Sequence, residues 1–241
     1  MEVTAALSIP ETLAEKLRGK FIVLDGPDGA GKSTQHALLQ RDLAAAGLDI
    51  VSCRDPGGTE IGDRIRSVLL DYDLSTMDIT CETLLFMASR AQLLADVIRP
   101  ALAAGKTVLC DRFVSATCAY QGAAGYDPGR VIALGEQVLA GMWPDVTVVI
   151  DVDAETGLDR IGRKPHHAGK NRRANGEQSS LFVDGSPDAM EARPITFHRR
   201  VRRMFREVKD YYPRPVVVVD GNVAEGEVYQ RILSELAACP F

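Results

Sequence analysis

Residues Gly26-Pro27-Asp28-Gly29-Ala30-Gly31-Lys32-Ser33 combine three glycines, a lysine and a hydroxyl in the spacing GxxxxGK[ST]. Glycines so spaced let successive backbone N–H groups turn inward around a phosphate. The lysine then reaches the β and γ oxygens of a nucleoside triphosphate, and the serine hydroxyl ligates Mg²⁺. With Thr34 the motif forms a candidate ATP-binding loop. It follows the apolar run Phe21 to Leu24 and opens a stretch of helical period, so a bound phosphate also meets the positive end of a helix. An ordinary glycine-rich turn is the plain alternative, and the flanking strand and helix argue against it. The loop alone does not separate a kinase from a GTPase or a motor ATPase. A second apolar run narrows the choice, because it ends Val108-Leu109-Cys110-Asp111-Arg112-Phe113. Asp111 can hold the Mg²⁺ shell beside the loop. Arg112 offers a guanidinium fork to the phosphate of a second substrate. Without the loop, Asp111 would read as a strand-end cap for the next helix.

Other residues capable of chemistry read as inert. Cys53, Cys81, Cys110, Cys118 and Cys239 form no CxxC pair and behave as reduced, apolar thiols. His166 and His167 are adjacent in a polar stretch, a spacing that cannot place two ligands on one helix face.

The phosphate loop needs a strand before it and a helix after it, and the chain supplies that alternation throughout. Lys20 to Leu24, Ile50 to Cys53, Thr107 to Cys110, Val146 to Ile150 and Val216 to Val219 are short and apolar on both faces, as suits a covered parallel sheet. Between them, Ser33 to Ala46, Ile61 to Leu70, Glu82 to Ala104 and Ala224 to Ala237 carry apolar residues every three or four positions. Strand and helix in turn predict an α/β, doubly wound sheet with right-handed crossovers. One region breaks the rhythm. Lys164 to Pro187 is rich in Gly, Asn, Ser and basic residues, and a loop this long in a compact domain is either disordered or a functional lid. Residues 160 to 209 carry 13 Lys and Arg against 5 Asp and Glu, a charge of +8, which leaves −13 for the rest of a chain whose net charge is −5. The choice lies between a solvated loop leading into a basic helix and a lid that binds phosphate.

At 241 residues, 46% hydrophobic and 25% charged, the chain is neither a disordered tail, a collagen-like repeat nor a small disulfide scaffold. No stretch approaches the ~20 apolar residues that span a bilayer. Glu2, Glu11 and Glu15 precede the first apolar run, the wrong charge order for a secretory or transit signal, so no membrane association and a cytoplasmic location are expected. The mild acidity argues against wrapping nucleic acid.

Seven blocks in order resemble the thymidylate kinase family, from Lys20 to about Leu236. They begin with Asp25 to Ser33, then Arg54-Asp55-Pro56-Gly57-Gly58-Thr59 with Ile61-Gly62, and Leu85 to Gln92 (LFMASRAQ). Asp111-Arg112-Phe113 and Ala119-Tyr120-Gln121-Gly122 follow, then Pro144-Asp145 before a strand ending in Asp151, and Phe197-His198 leading to Arg200-Val201-Arg202. The resemblance implies a three-layer P-loop nucleoside-monophosphate kinase fold, with a five-stranded parallel sheet, helices on both faces and a basic lid at about 160–190. Residues 1–19 would be an N-terminal extension of helical character and 20–241 a single domain. The implied reaction is ATP plus dTMP giving ADP plus dTDP, with Mg²⁺ on Ser33 and Asp111, in a homodimer.

The same resemblance assigns roles. Phe86 would stack on thymine, and Arg90, one turn later on the same helix face, would read a base oxygen. Arg112, helped by Arg66, would clamp the monophosphate. Asp28 would meet the deoxyribose hydroxyl and the metal shell. Tyr120 would crowd the sugar's 2′ position, with Thr117 and Gln121 finishing the base pocket. Some members carry an arginine inside the phosphate loop where this chain has Gly29, so here the lid must supply that cation. Arg160, Arg163 and Lys164 are the candidates, with Lys32, Arg112 and Asp28 completing the catalytic set. Lid closure would also exclude water. Ala116, Asp55 and Ala189 depart from the usual serine, glutamate and arginine. The lid is about twenty residues longer than the family norm, and Arg172 and Arg173 fall in the added part. Another nucleoside-monophosphate kinase, accepting dUMP or a cytidine nucleotide, and a nucleotide-binding regulator without transfer activity are the alternative readings.

Overall fold

The computed structural model describes residues 9–70, 76–163 and 190–240. Lys164, His166, His167, Arg172, Arg173, Asp188 and Ala189 lie outside the described residues. Five strands, β1 (Phe21–Asp25), β2 (Ile50–Arg54), β3 (Thr107–Asp111), β4 (Val146–Asp151) and β5 (Val216–Asp220), form one parallel sheet in the order β2-β3-β1-β4-β5. Each lies within a residue of the run expected from the sequence. All five residues of β1 and all six of β4 are buried, as central strands covered on both faces must be.

One face is covered by α1 (Glu11–Leu17), α2 (Lys32–Ala45) and α10 (Glu225–Ala238), whose Leu17, Leu39, Leu43, Ile232 and Leu236 pack on Ile22, Leu24 and Val148. Each fully buried leucine or isoleucine contributes about 1.5–3 kcal/mol. The other face carries α4 (Ile79–Leu93), a π-helical turn (Leu94–Ile98), α5 (Arg99–Ala103), α6 (Val114–Ala123), α7 (Pro128–Leu139) and α9 (Ile195–Glu207). The helix α3 (Glu60–Leu70) packs on α4, and α8 (Ala154–Arg160) follows β4. Glu82 to Ala104, expected as one helix, is thus divided. Pro100 has no N–H for the bond to residue 96, and the wider π turn just before it absorbs the break. Helix α6 gave no periodic signal because eight of its ten residues are buried on every side. Within the expected N-terminal extension, α1 buries Leu13, Ala14 and Leu17, and Thr107 joins its end to the sheet by donating to Leu17 O (3.0 Å).

Chain direction leaves β1 toward β2 and leaves β3 toward β4, so the two connections depart to opposite sides. The crevice at the carboxyl ends of β1 and β3 is therefore the switch point where open α/β sheets bind ligands. Asp25, Asp111, Asp151 and Asp220 end four of the strands on this edge.

Candidate active site

The phosphate loop joins β1 to α2 across this crevice. Asp25 anchors its start from the last position of β1, accepting from Gly26 N (2.9 Å) and from Ser115 Oγ (2.5 Å). Lys32 opens α2, and its Nζ folds back to donate to Gly26 O (3.1 Å) and Pro27 O (2.8 Å). It is only 8% exposed. Burial, reinforced by the Arg112 charge, lowers its pKa to about 8 against the pull of Asp28, Asp111 and Asp25. The ammonium thus sits inside the loop, held by the carbonyls of Gly26 and Pro27.

Arg112 follows β3 with φ 66, in the left-handed region that a side chain disfavours. A non-glycine residue held there costs of order 1–3 kcal/mol, and the site must over-determine it. Arg112 N donates to Leu24 O (2.9 Å), Nη1 to Gly26 O (3.1 Å) and Nη2 to Asp28 Oδ1 (2.5 Å), while the guanidinium lies 5.0 Å from the Tyr120 ring centroid. The unusual backbone turns the fork from the strand end across to the phosphate loop. Burial pushes the Asp28 carboxyl up, but Arg112, Lys32 and a hydrogen bond with Tyr120 outweigh it and hold the group below the usual aspartate range.

Beside this pair, a single cleft is lined by Asp28, Arg66, Phe86 and Arg90, together with Arg112, Thr117, Tyr120 and Gln121. All eight residues expected to hold the second substrate converge there. Arg66 reaches in from α3, its Nη1 donating to Pro56 O (2.9 Å). Phe86 and Arg90 share one face of α4, as their spacing requires. Arg90 is buried: Nε donates to Asp55 Oδ2 (2.6 Å) and Nη2 to Thr117 Oγ1 and Phe113 O (3.1 Å each). Burial pushes the Asp55 carboxyl up although Arg90 opposes it. Asp55, noted in the sequence only as a departure, is thus the residue that holds Arg90. Gln121 Nε2 donates to Glu82 Oε1 (2.7 Å), and Glu82 also takes Arg193 (3.3 Å). Sequence reasoning missed Glu82, Met190 and Arg193. A lone acid among the apolar residues of α4 was the one available signal for Glu82.

A second cavity lies on the other side of the loop, lined by Ala30, Gly31, Thr34, Gln35, Arg160 and Gly221, with Val223, Glu225 and Val228 closing it. Arg160, the last residue of α8, donates from Nη1 to Gly221 O (3.1 Å) and Gly29 O (3.5 Å). Arg163 pairs instead with Glu191 (3.2 Å). At the end of β3, Asp111 Oδ1 is buried without a hydrogen-bond partner among the described residues, an oxygen donor of the kind Mg²⁺ takes. Ser33, exposed at the start of α2, supplies a hydroxyl on the same loop.

Two sites thus share one phosphate loop, one on the Arg112 side and one on the Arg160 side. The family model described as "Thymidylate kinase" matches residues 24–232. The chain belongs to the thymidylate kinase family. A thymidylate kinase of Halothermothrix orenii is 38% identical over 225 residues, covering 92% of this chain and 99% of the relative. One of Deinococcus radiodurans is 39% identical, covering 89% and 95%. The crystal structure of a thymidylate kinase from Ehrlichia chaffeensis superposes with a TM-score of 0.66 at 26% identity, covering 91% of this chain and 99% of that one. Membership of the thymidylate kinase family brings the three-layer kinase fold with it, and the sheet order above agrees.

Part of the basic segment's charge is used within the fold. On α9, Arg199 pairs with Glu155, Arg202 binds both oxygens of Asp151 (2.7 and 3.0 Å) and Arg203 lies 3.7 Å from Glu207. Arg199 and Arg202 therefore dock α9 on the acidic ends of β4 and α8, while Arg203 pairs within its own helix.

Proposed function

We infer that this enzyme transfers the γ-phosphoryl group of ATP to dTMP, giving ADP and dTDP. The observation that carries the reading is the convergence of the eight acceptor-side residues on one cleft that shares Asp28 and Arg112 with the phosphate loop. The cavity between the loop and α10 receives the ATP nucleoside, so donor and acceptor phosphates approach from opposite sides.

Phosphoryl transfer needs positioning and charge neutralisation more than covalent help. Lys32 exchanges the carbonyls of Gly26 and Pro27 for the β and γ oxygens. Arg112 exchanges Asp28 for the dTMP phosphate, with Arg66 beside it, and the freed Asp28 turns to the deoxyribose hydroxyl. Phe86 stacks on thymine and Arg90, fixed by Asp55, reads a base oxygen. Tyr120 occupies the space a 2′-hydroxyl would need, while Thr117 and Gln121 close the base pocket. Arg160 neutralises charge from the donor side, which Gly29 cannot do. Mg²⁺, held by Ser33 and the unpaired Asp111 oxygen, supplies further neutralisation of the triphosphate when bound. The large apolar side chains exposed among the described residues, Ile61, Val68 and Leu84, all lie on α3 and α4, which favours a homodimer through that face. All five cysteines are free thiols, as a reducing cytoplasm keeps them. No helix among the described residues is long and apolar enough to cross a membrane.

Turnover on a panel of monophosphates with ATP and Mg²⁺ tests the assignment. Efficient dTMP phosphorylation is expected. Fast UMP or AMP phosphorylation with idle dTMP would overturn it.

A further inference from the structure

We propose that Gly157 is a positioning residue for phosphoryl transfer: its bare backbone seats α8 on the phosphate loop at Gly29 and so sets where Arg160 stands. The proposal rests on the reading of Arg160 as the donor-side cation.

The contact between α8 and the loop is backbone against backbone, and both partners are glycines. A Cβ on Gly29 would fall on the carbonyl of Gly157, well inside van der Waals contact, with the Gly157 Cα and carbonyl carbon close behind. A Cβ on Gly157 would in turn fall on the carbonyl oxygen of Asp28, with a Val152 methyl at 3.3 Å. Neither obstacle is the far end of a flexible side chain, so neither can swing aside. Gly29 also has φ 71, which a side chain disfavours.

Gly157 itself needs no such backbone freedom. It lies inside α8, where its N–H donates to Asp153 O (2.8 Å) and its carbonyl accepts from Ile161 N (3.3 Å). Glycine weakens a helix interior relative to alanine, so the helix bears a penalty that only the close approach explains. Three residues on, Arg160 projects from the same face and reaches Gly29 O and Gly221 O. The helix is also held away from the loop side, because Leu158 packs on Ile195 and Glu155 pairs with Arg199. A methyl at 157 must therefore lift α8 off the loop and carry Arg160 with it. The same geometry links two positions far apart in sequence: a loop with a side chain at 29 and a seated α8 exclude each other.

The experiment is a double-mutant cycle on the full-length enzyme, with Gly157→Ala, Arg160→Ala and both together. Steady-state kinetics would give kcat and the KM for ATP and for dTMP; calorimetry would give dTMP affinity, and a melt would report folding. A displacement of about 1 Å can cost on the order of 10²-fold in rate. Gly157→Ala is expected to lower kcat about 10–100-fold and to leave dTMP affinity unchanged. Adding Arg160→Ala to it should have little further effect. Near-normal kcat in Gly157→Ala, alongside a crippled Arg160→Ala, overturns the proposal and spares the Arg160 reading. Losses that multiply also overturn it, since Gly157 then acts through something other than Arg160. Near-normal kcat in Arg160→Ala overturns the underlying reading instead. A merely structural role would lower dTMP affinity and the melting temperature along with kcat, which equally refutes the proposal. Should Gly157→Ala fail to fold, Gly29→Ala places the methyl on the other side of the same contact and runs through the same cycle.

Discussion

Replacing Asp55 separates what holds the acceptor cleft together from what that cleft recognises. The side chains of Asp55 and Arg90 are 0% and 1% exposed and make an ion pair of 2.5 Å. Asp55→Ala strands a buried guanidinium whose remaining acceptors are Thr117 Oγ1, Phe113 O and the Met87 sulfur. Breaking one side of such a pair costs about 3–5 kcal/mol. In a protein of this size that corresponds to a fall in melting temperature of roughly 6–20 °C. Asp55→Asn keeps one acceptor for Nε and should lose less, about 1.5–3 kcal/mol, the worth of a hydrogen bond to a charged group. The pair need not be a net stabiliser, since burial pushes the Asp55 carboxyl up in spite of Arg90. Asp55→Ala combined with Arg90→Met should therefore regain most of the lost stability, because no charge is left buried. It should not regain dTMP binding, because the arginine proposed to read the base is gone. Urea unfolding and dTMP calorimetry on the three variants check the argument. If Asp55→Ala unfolds within about 1 kcal/mol of the parent, or if the double variant binds dTMP normally, the pair does not do what its burial implies.

Lys32→Ala should lower kcat by about 10²–10³-fold through lost stabilisation of phosphate charge, and turnover close to the parent's would refute the phosphate-loop assignment. The same residue gives a pH signature. With its pKa lowered to about 8, Lys32 is half deprotonated in the free enzyme at pH 8, and ATP, which favours the ammonium, should draw in about half a proton on binding. Calorimetry in two buffers of different ionisation enthalpy should detect that uptake at pH 8. It should vanish at pH 6.5 and in Lys32→Ala; uptake that persists in the variant would assign it elsewhere. Tyr120→Ala should relax discrimination between dTMP and its ribonucleotide counterpart, while also loosening Arg112, which lies over the ring. Selectivity unchanged in a competition assay would show that the ring does not face the sugar.

The sheet was legible in the sequence because each strand is a short β-branched run whose pattern does not depend on its neighbours. The phosphate loop was legible because glycine spacing and a lysine state the chemistry locally. What stayed hidden is what only the fold creates. Asp55 and Arg90 are 35 residues apart and become a pair when the loop after β2 meets α4. Glu82 acquires Gln121 from α6 and Arg193 from the turn before α9. A charge count of the +8 segment could not show that Arg199 and Arg202 meet Glu155 and Asp151.

Gly157 marks the limit most clearly. In the sequence it is a weak spot in a seven-residue helix, with nothing to connect it to a glycine 128 positions earlier. Only the close approach of α8 to the phosphate loop gives the two glycines a common cause. That cause bears on the chemistry: position 29 carries no side chain, and the helix that fills the space beside it carries Arg160. Backbone packing and the source of the donor-side charge are then a single choice, so residues 29, 157 and 160 must be changed together for the cation to move back into the loop.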